Sequence, residues 1–377
     1  MSLESIIGAI GLLAVVVLVH ELGHFLVAKR CGVDVQVFSL GFGPKLLAWR
    51  RAETEYRISA IPLGGYVRMA GQDDLSGPAG GEDAAESDAA VGQDDPQEGD
   101  PTRRFSAKTL GQRAAIVAAG PGVNFIFAFL LFAAVAFAYG VHVPVEQARV
   151  GGVAAGGPAA KAGLVGGELI GAVDGETVSG WEDLAARVRA SEGKTLELTL
   201  EAGDGLARRR IEVSPEMRPQ RDHLGEEIGK VWMIGIQRAT EKRPVGAFES
   251  LALGMRYTWF WTRTIFETIG RLFQGRLSVA DLGGPIMIAQ EAGRRAETGL
   301  EPLLQFMALI SVNLAIINIL PIPVLDGGHL LFFLFEGLRG RPMSLRYREL
   351  AQQFGLLLLA ALMVFVVFND LSRIIGG

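Results

Sequence analysis

The chain has 377 residues, 49% of them hydrophobic, with 49 glycines, 16 prolines, one cysteine and a formal net charge of -5. A mean hydropathy of +0.30 exceeds what a soluble core of this length needs, and the excess sits in a few long apolar runs, which points to an integral membrane protein. The single Cys31 excludes an intrachain disulfide framework and a thiolate zinc knuckle, so any metal must be held by histidine and carboxylate. Ten Asp and Glu against two Arg in residues 71–104 leave the rest of the chain at +3, so neither part carries a nucleic-acid footprint.

Four runs approach or exceed the roughly 20 apolar residues that cross a bilayer: 6–28, 114–139, 303–320 and 354–368. The first reads as a retained span, because residues 1–5 carry no basic group, no small-residue cleavage site follows, and the run contains His20, Glu21 and His24. After it, residues 31–70 alternate apolar and polar, broken by Gly41-Phe42-Gly43-Pro44 and Leu63-Gly64-Gly65, which predicts hairpin-like strands against the membrane. Residues 71–104 have almost nothing to bury and are expected to form a disordered acidic cytoplasmic loop. The second span falls within 105–140.

From 147 to 238 the composition becomes that of a small soluble α/β module, with strands expected at 167–173, 196–200 and 210–213 and a helix after Trp181. The strings Pro158-Ala-Ala-Lys-Ala-Gly-Leu164 and Gly167-Glu-Leu-Ile-Gly-Ala-Val-Asp-Gly175 resemble a PDZ domain of the bacterial envelope type. Its peptide-carboxylate loop is placed at 150–153 or at 235–236. Residues 241–300 are read as amphipathic interfacial helices, with Trp259, Phe260 and Trp261 as anchors among Glu249, Arg256, Arg263, Glu267 and Arg271. The third and fourth spans close the chain at 301–377.

Lys29, Arg30, Lys45, Arg50, Arg51 and Arg57 follow the first span, and Arg339, Arg341, Arg346 and Arg348 lie between the third and fourth. The positive-inside rule makes both loops cytoplasmic and puts the termini and the α/β module on the other side. The expected fold is a polytopic α-helical membrane protein of about four transmembrane helices, with a membrane-associated β-hairpin region and one extracytoplasmic PDZ-like domain.

His20-Glu21-Leu22-Gly23-His24 is an H-E-x-x-H run on a predicted helix. Residues four apart share a face, so both imidazoles can grip one tetrahedral ion while Glu21 sits beside it to take a proton from water. A charged side chain deep in a span costs about 2.5 to 3.5 kcal/mol, and a bound cation compensates a cluster of one carboxylate and two imidazoles. A zinc site needs a third protein ligand. His142 and His223 lie on the wrong side in this topology, which leaves the stretch Asn318-Ile-Leu-Pro321-Ile-Pro323-Val-Leu-Asp326-Gly-Gly-His329. Asp326 is the favoured ligand there and His329 its rival.

The HELGH run, Gly41-Phe42-Gly43-Pro44, Ile61-Pro62-Leu63-Gly64-Gly65-Tyr66, Gly120-Pro121-Gly122-Val123-Asn124, Gly283-Gly284-Pro285-Ile286, Asn318-xx-Pro321-x-Pro323-xx-Asp326-Gly327 and Phe368-Asn369-Asp370 occur together, with the α/β module between them. In this order they resemble the site-2 proteases, intramembrane zinc metalloproteases, in the branch of the bacterial regulator of sigma-E protease. The resemblance implies Zn2+ held by His20, His24 and Asp326, Glu21 as catalytic base, and substrate contacts at Asn318 and Pro323. It also implies a multi-pass protein of the bacterial inner membrane whose partners are a transmembrane protein substrate, such as an anti-sigma factor or a signal-peptide remnant, and the lipid bilayer. A peptide C-terminus at the PDZ-like module is a further expected partner. The enterobacterial relative has two tandem PDZ modules and this chain has one. The competing reading is a non-catalytic PDZ-containing scaffold with a vestigial metal site, against which the intact Glu21 speaks.

Overall fold

The computed structural model describes residues 3–72, 100–201, 208–276 and 283–376. Two compact units result, Met1–Val135 with Ala247–Gly377 forming one and Ala136–Gly246 the other.

Helix α1 (Leu3–Arg30) ends in Lys29 and Arg30, which favour the negative end of its dipole, and Gly32 follows at φ +69°. Strands β1 (Val35–Arg51) and β2 (Thr54–Met69) turn at Ala52 and Glu53. Their pairing departs from a plain hairpin. Residues 37–40 pair with 55–58 and also with 65–68, while 47–51 pair with 54–58, so two strands fold into a sheet four segments wide. Val33 and Val35 point into a core shared with Ala28 of α1, Val67 and Met69 of β2 and the flanking helices, in which Cys31 is a partly buried packing residue, and Val37 is buried two residues further on.

Most of the acidic segment 71–104 lies outside the described residues. Its far end does not fit the expectation of one disordered loop: Asp100 caps a short 3-10 turn (Pro101–Arg103), Asp34 donates its backbone N–H to Arg103 O, and the Arg103 guanidinium pairs with the Asp34 carboxylate. A second 3-10 turn (Phe105–Ala107) buries Phe105. Helix α2 (Leu110–Tyr139) then runs unbroken through Pro121.

In the second unit, β3 (Val141–Pro144), β4 (Val150–Val153), α3 (Pro158–Lys161), β5 (Leu169–Val173), β6 (Glu176–Thr177), α4 (Trp181–Ala190), β7 (Leu196–Glu201) and β8 (Arg209–Val213) are followed by β9 (Glu216–Arg221), β10 (Glu227–Met233), β11 (Ile236–Arg238) and β12 (Thr240–Arg243). A four-stranded sheet has the order β6-β5-β7-β8, and β11 pairs with β4, β12 with β3 and β10 with β9. Leu184 and Val188, four apart on α4, pack with Ile170, Leu198 and Leu200 of the sheet in one apolar core. The three expected strands and the helix after Trp181 are present within a residue or two. The β9–β10 hairpin was not expected, because Glu216, Arg218, Arg221 and Glu227 give it little apolar content.

The chain returns to the first unit with α5 (Ala247–Phe273), α6 (Pro285–Thr298), α7 (Leu300–Ile319), α8 (Asp326–Arg339) and α9 (Leu345–Gly376). Among the described residues four stretches are long and apolar enough to cross a membrane: Gly8–Arg30, Leu110–Tyr139, Leu300–Ile319 and Leu345–Ile374. The fourth is longer than its apolar run, since the helix continues through Arg346, Arg348 and Glu349. Helix α5 buries Ser250, Gly254 and Thr258 and leaves Trp259 and Phe260 exposed, with Gly254 close to Phe129 O of α2. Helix α6 buries Ala292 against Ala9, Leu12 and Val16 of α1 and Phe306 of α7. Glu336 of α8 takes both Arg113 of α2 and Arg348 of α9.

Candidate metal centre

Three imidazole and carboxylate atoms converge where α1, α2 and the start of α8 meet. His20 Nε2 lies 3.2 Å from His24 Nε2 and 3.2 Å from Asp326 Oδ2, and His24 Nε2 lies 3.4 Å from Asp326 Oδ2. Zinc bonds of about 2.0–2.1 Å in a tetrahedron put ligand atoms about 3.3–3.4 Å apart, so these atoms span one face of such a tetrahedron and leave its fourth corner open. Asp326 Oδ2 is buried without a hydrogen bond, and an orphaned carboxylate oxygen facing two imidazoles fits a cation. Among the described residues His20, His24 and Asp326 are the cluster able to hold a metal.

Local sequence explains the convergence. Four-residue spacing puts both histidines on one face of α1. Residues Ile116, Gly120 and Asn124 repeat the same spacing on α2, which runs past α1 in the opposite sense. His24 Nδ1 meets Ile116 O at 2.9 Å, and Asn124 Nδ2 meets His20 Nδ1 at 3.3 Å. The crossing is close because Gly23 and Gly120 face each other: a Cβ on Gly23 would stand 2.5 Å from Ala119 O, and one on Gly120 would stand 2.3 Å from His24 Nε2. Leu320 leaves the helical conformation at the end of α7, and the turn through Pro321 and Pro323 starts α8 at Asp326. Gly327 and Gly328 allow that turn, since a Cβ on either would fall 2.1 Å from Ile319 O or 2.3 Å from Ile322 O.

Glu21, one residue from His20, faces β2: a Cβ on Gly65 would stand 3.2 Å from Glu21 Cγ. Asn318 is partly buried in the last turn of α7, eight residues before Asp326. Pro323 packs toward α9, where a Cβ on Gly355 would stand 3.3 Å from Pro323 Cδ. Among the described residues no hydrogen bond joins either residue to His20, His24 or Asp326. His329 lies outside the cluster, with its ring edge-on to Phe332 at 6.3 Å between centroids. His142 and His223 are exposed in the other unit.

Sequence reasoning assigned no role to Ile116, Gly120 or Asn124. The i, i+4, i+8 spacing of small and polar groups in an otherwise apolar helix was the available signal. The motif at 283–286 and the one at 368–370 also meet: Asp370 Oδ1 accepts from Gly284 N at 3.1 Å, and its Oδ2 accepts from Ile286 N at 3.1 Å and Met287 N at 3.2 Å, capping α6.

Fold and site together define a polytopic helical protein with a two-histidine, one-aspartate centre and an adjacent glutamate. The chain belongs to peptidase family M50, whose profile matches residues 8–362. It is 33% identical over 428 residues to zinc metalloprotease RasP of Geobacillus kaustophilus, covering 99% of both chains. It is 36% identical over 374 residues to Atu1380 of Agrobacterium fabrum, named as a candidate zinc metalloprotease, covering 97% of this chain and 94% of that one. A protein of Clostridium acetobutylicum named in the same way, CA_C1796, is 32% identical over 370 residues, 98% of each chain.

Proposed function

We propose that this chain is an intramembrane zinc endopeptidase that cuts peptide bonds within or beside transmembrane segments of other membrane proteins. The observation that carries the reading is the tetrahedral face formed by His20, His24 and Asp326 inside a bundle of spanning helices, with Glu21 next to it. Bound there, zinc supplies a Lewis acid for a scissile carbonyl and lowers the pKa of water toward about 7. Glu21 accepts the proton of the attacking water on its carboxylate and delivers it to the leaving nitrogen. Among the described residues segment 65–69 pairs with 35–40 on one side only, and Gly65 lies against Glu21, so an extended substrate strand added at the other side would come near the base. Asn318 and Pro323 line the substrate's path along the α7–α8 turn.

The protein works as a multi-pass protein of a bacterial inner membrane, with the loops around Lys29 to Arg57 and Arg339 to Arg348 cytoplasmic. Its α/β unit is a PDZ-like module on the opposite side. The two candidate carboxylate loops are neighbours there, since Ile236 pairs with Val153 and Ala154 N donates to Gly235 O, so one site on the β4–β11 ladder receives a peptide C-terminus. A membrane-anchored anti-sigma factor and a signal-peptide remnant are the two substrate types that fit.

Purified wild type and Glu21→Gln, in detergent with a model transmembrane substrate and with zinc measured alongside, test the reading. The expected result is that both proteins hold about one zinc and only wild type cuts, in a chelator-sensitive way. Zinc bound by both with no cleavage of any of several substrates would return the protein to the scaffold class.

A further inference from the structure

We infer that Asn124 is a positioning residue of the metal centre, whose side-chain oxygen accepts the Nδ1–H of His20 and so fixes that imidazole with Nε2 toward the metal. This rests on the zinc reading above.

The argument starts from the ring nitrogens. His20 Nε2 is the atom that shares the tetrahedral face with His24 Nε2 and Asp326 Oδ2. A neutral imidazole that gives its Nε2 lone pair to a metal carries its proton on Nδ1, and that proton needs an acceptor. His24 has one in the Ile116 carbonyl, 2.9 Å from its Nδ1. The group facing His20 Nδ1 is the amide of Asn124, at 3.3 Å.

Asn124 is fully buried, so this contact is not one that solvent can replace. Its Nδ2 faces the ring while its Oδ1 is buried with no hydrogen bond. With a proton on His20 Nδ1 that orientation sets two donors against each other. Turning the amide by half a revolution exchanges two atoms of nearly equal size and places Oδ1 at the same site as an acceptor. The backbone that carries the amide is itself held, since Ser311 Oγ donates to Asn124 O at 2.9 Å. α2 thus provides an acceptor for each ligand histidine, a main-chain carbonyl at Ile116 and a side-chain one two helical turns on. Acceptors of this kind set the tautomer and the ring angle of metal-bound histidines, and removing one lowers metal affinity by about 10- to 100-fold.

The test is zinc affinity of the full-length protein in detergent, by competition with a chromophoric chelator, for wild type, Asn124→Leu, Asn124→Ala and Asn124→Asp. Aspartate keeps an oxygen toward His20 Nδ1 and makes a carboxylate–histidine–zinc arrangement, whereas leucine keeps the volume and alanine removes the amide without adding bulk. The expected result is zinc affinity about 10- to 100-fold weaker for leucine and alanine and restored by aspartate. The ligand-field spectrum of the Co2+-loaded protein should change with leucine and alanine and return to the wild-type form with aspartate. If leucine does not fold, alanine and aspartate carry the comparison. Wild-type affinity in alanine or leucine, or equal loss in aspartate, overturns the role of Asn124. Absence of zinc binding in wild type would instead remove the zinc reading itself.

Discussion

Gly120 offers the sharpest test of how the centre is built. A Cβ at this position would stand 2.3 Å from His24 Nε2, 2.6 Å from His24 Cε1 and 2.8 Å from His20 Cε1, where ordinary contact begins near 3.4 Å. Gly120→Ala must therefore move the His24 ring by about 1 Å, against a tolerance of about 0.2 Å in metal–ligand distance. Zinc affinity should fall by about 100-fold or more, beyond what loss of an outer hydrogen bond does. The fold itself should survive: alanine favours the helix by about 0.8–1 kcal/mol over glycine, while overpacking costs about 1–3 kcal/mol, so the zinc-free protein changes by no more than about 2 kcal/mol. Gly122→Ala on the same helix is the control, because nothing lies within 4 Å of the added Cβ. Chelator competition measures affinity, and thermal unfolding of the zinc-free proteins in detergent measures the fold. Wild-type zinc affinity in Gly120→Ala, with Gly122→Ala also normal, would refute the geometry argued for the centre.

Two further outcomes follow from contacts away from the metal. Asp370→Ala leaves the N–H groups of Gly284, Ile286 and Met287 without their acceptor, which should cost about 2–3 kcal/mol, with Asp370→Asn intermediate; unchanged melting temperature and unchanged amide exchange across Pro285–Thr298 would contradict it. Asp183 accepts from Ser179 N and then from Arg187 Nε, which together hold its carboxyl below the ordinary value of 3.8. A depressed folded value gives stability that is present above 3.8 and lost as pH falls through the lower folded value, so exchange protection of Trp181–Ala190 should decline in that acid range in wild type and start lower, with a flatter decline, in Asp183→Asn.

The parts of this molecule written in periodicity and length were legible. Spans announce themselves because hydrocarbon thickness sets a minimum run, and the two histidines and Glu21 announce themselves because ionisable groups are out of place in such a run. Strand type was legible between Val33 and Met69 but strand partners were not: period two marks which face a residue takes and leaves open that residues 37–40 pair on both sides. The α5 helix showed its mixed character, while its packing face of Ser250, Gly254 and Thr258 did not stand out, since small residues signal close approach only once the neighbour is known. Asn124 stood in the Gly120–Asn124 motif without a role, since one amide in an apolar helix has many uses, and it is the distance to His20 Nδ1 that gives it one.

The centre is assembled from main chain as much as from side chains, and that bears on its chemistry. Gly23 against Ala119 O, Gly65 against Ser39 O and Glu21, Gly120 against the two imidazoles, Gly327 against the carbonyls at the end of α7 and Gly328 against Ile322 O in the turn that follows are all approaches that a methyl group would block. Backbone atoms at these distances leave little slack, so His20, His24 and Asp326 are held by elements that cannot shift independently. A site with ligands held this way does not reorganise when charge develops at a scissile carbonyl, which is the condition under which buried dipoles and charges stabilise a transition state most. Glu21 meets Gly65 of β2 on one side of this centre, and that is where the proposed extended substrate strand would be received.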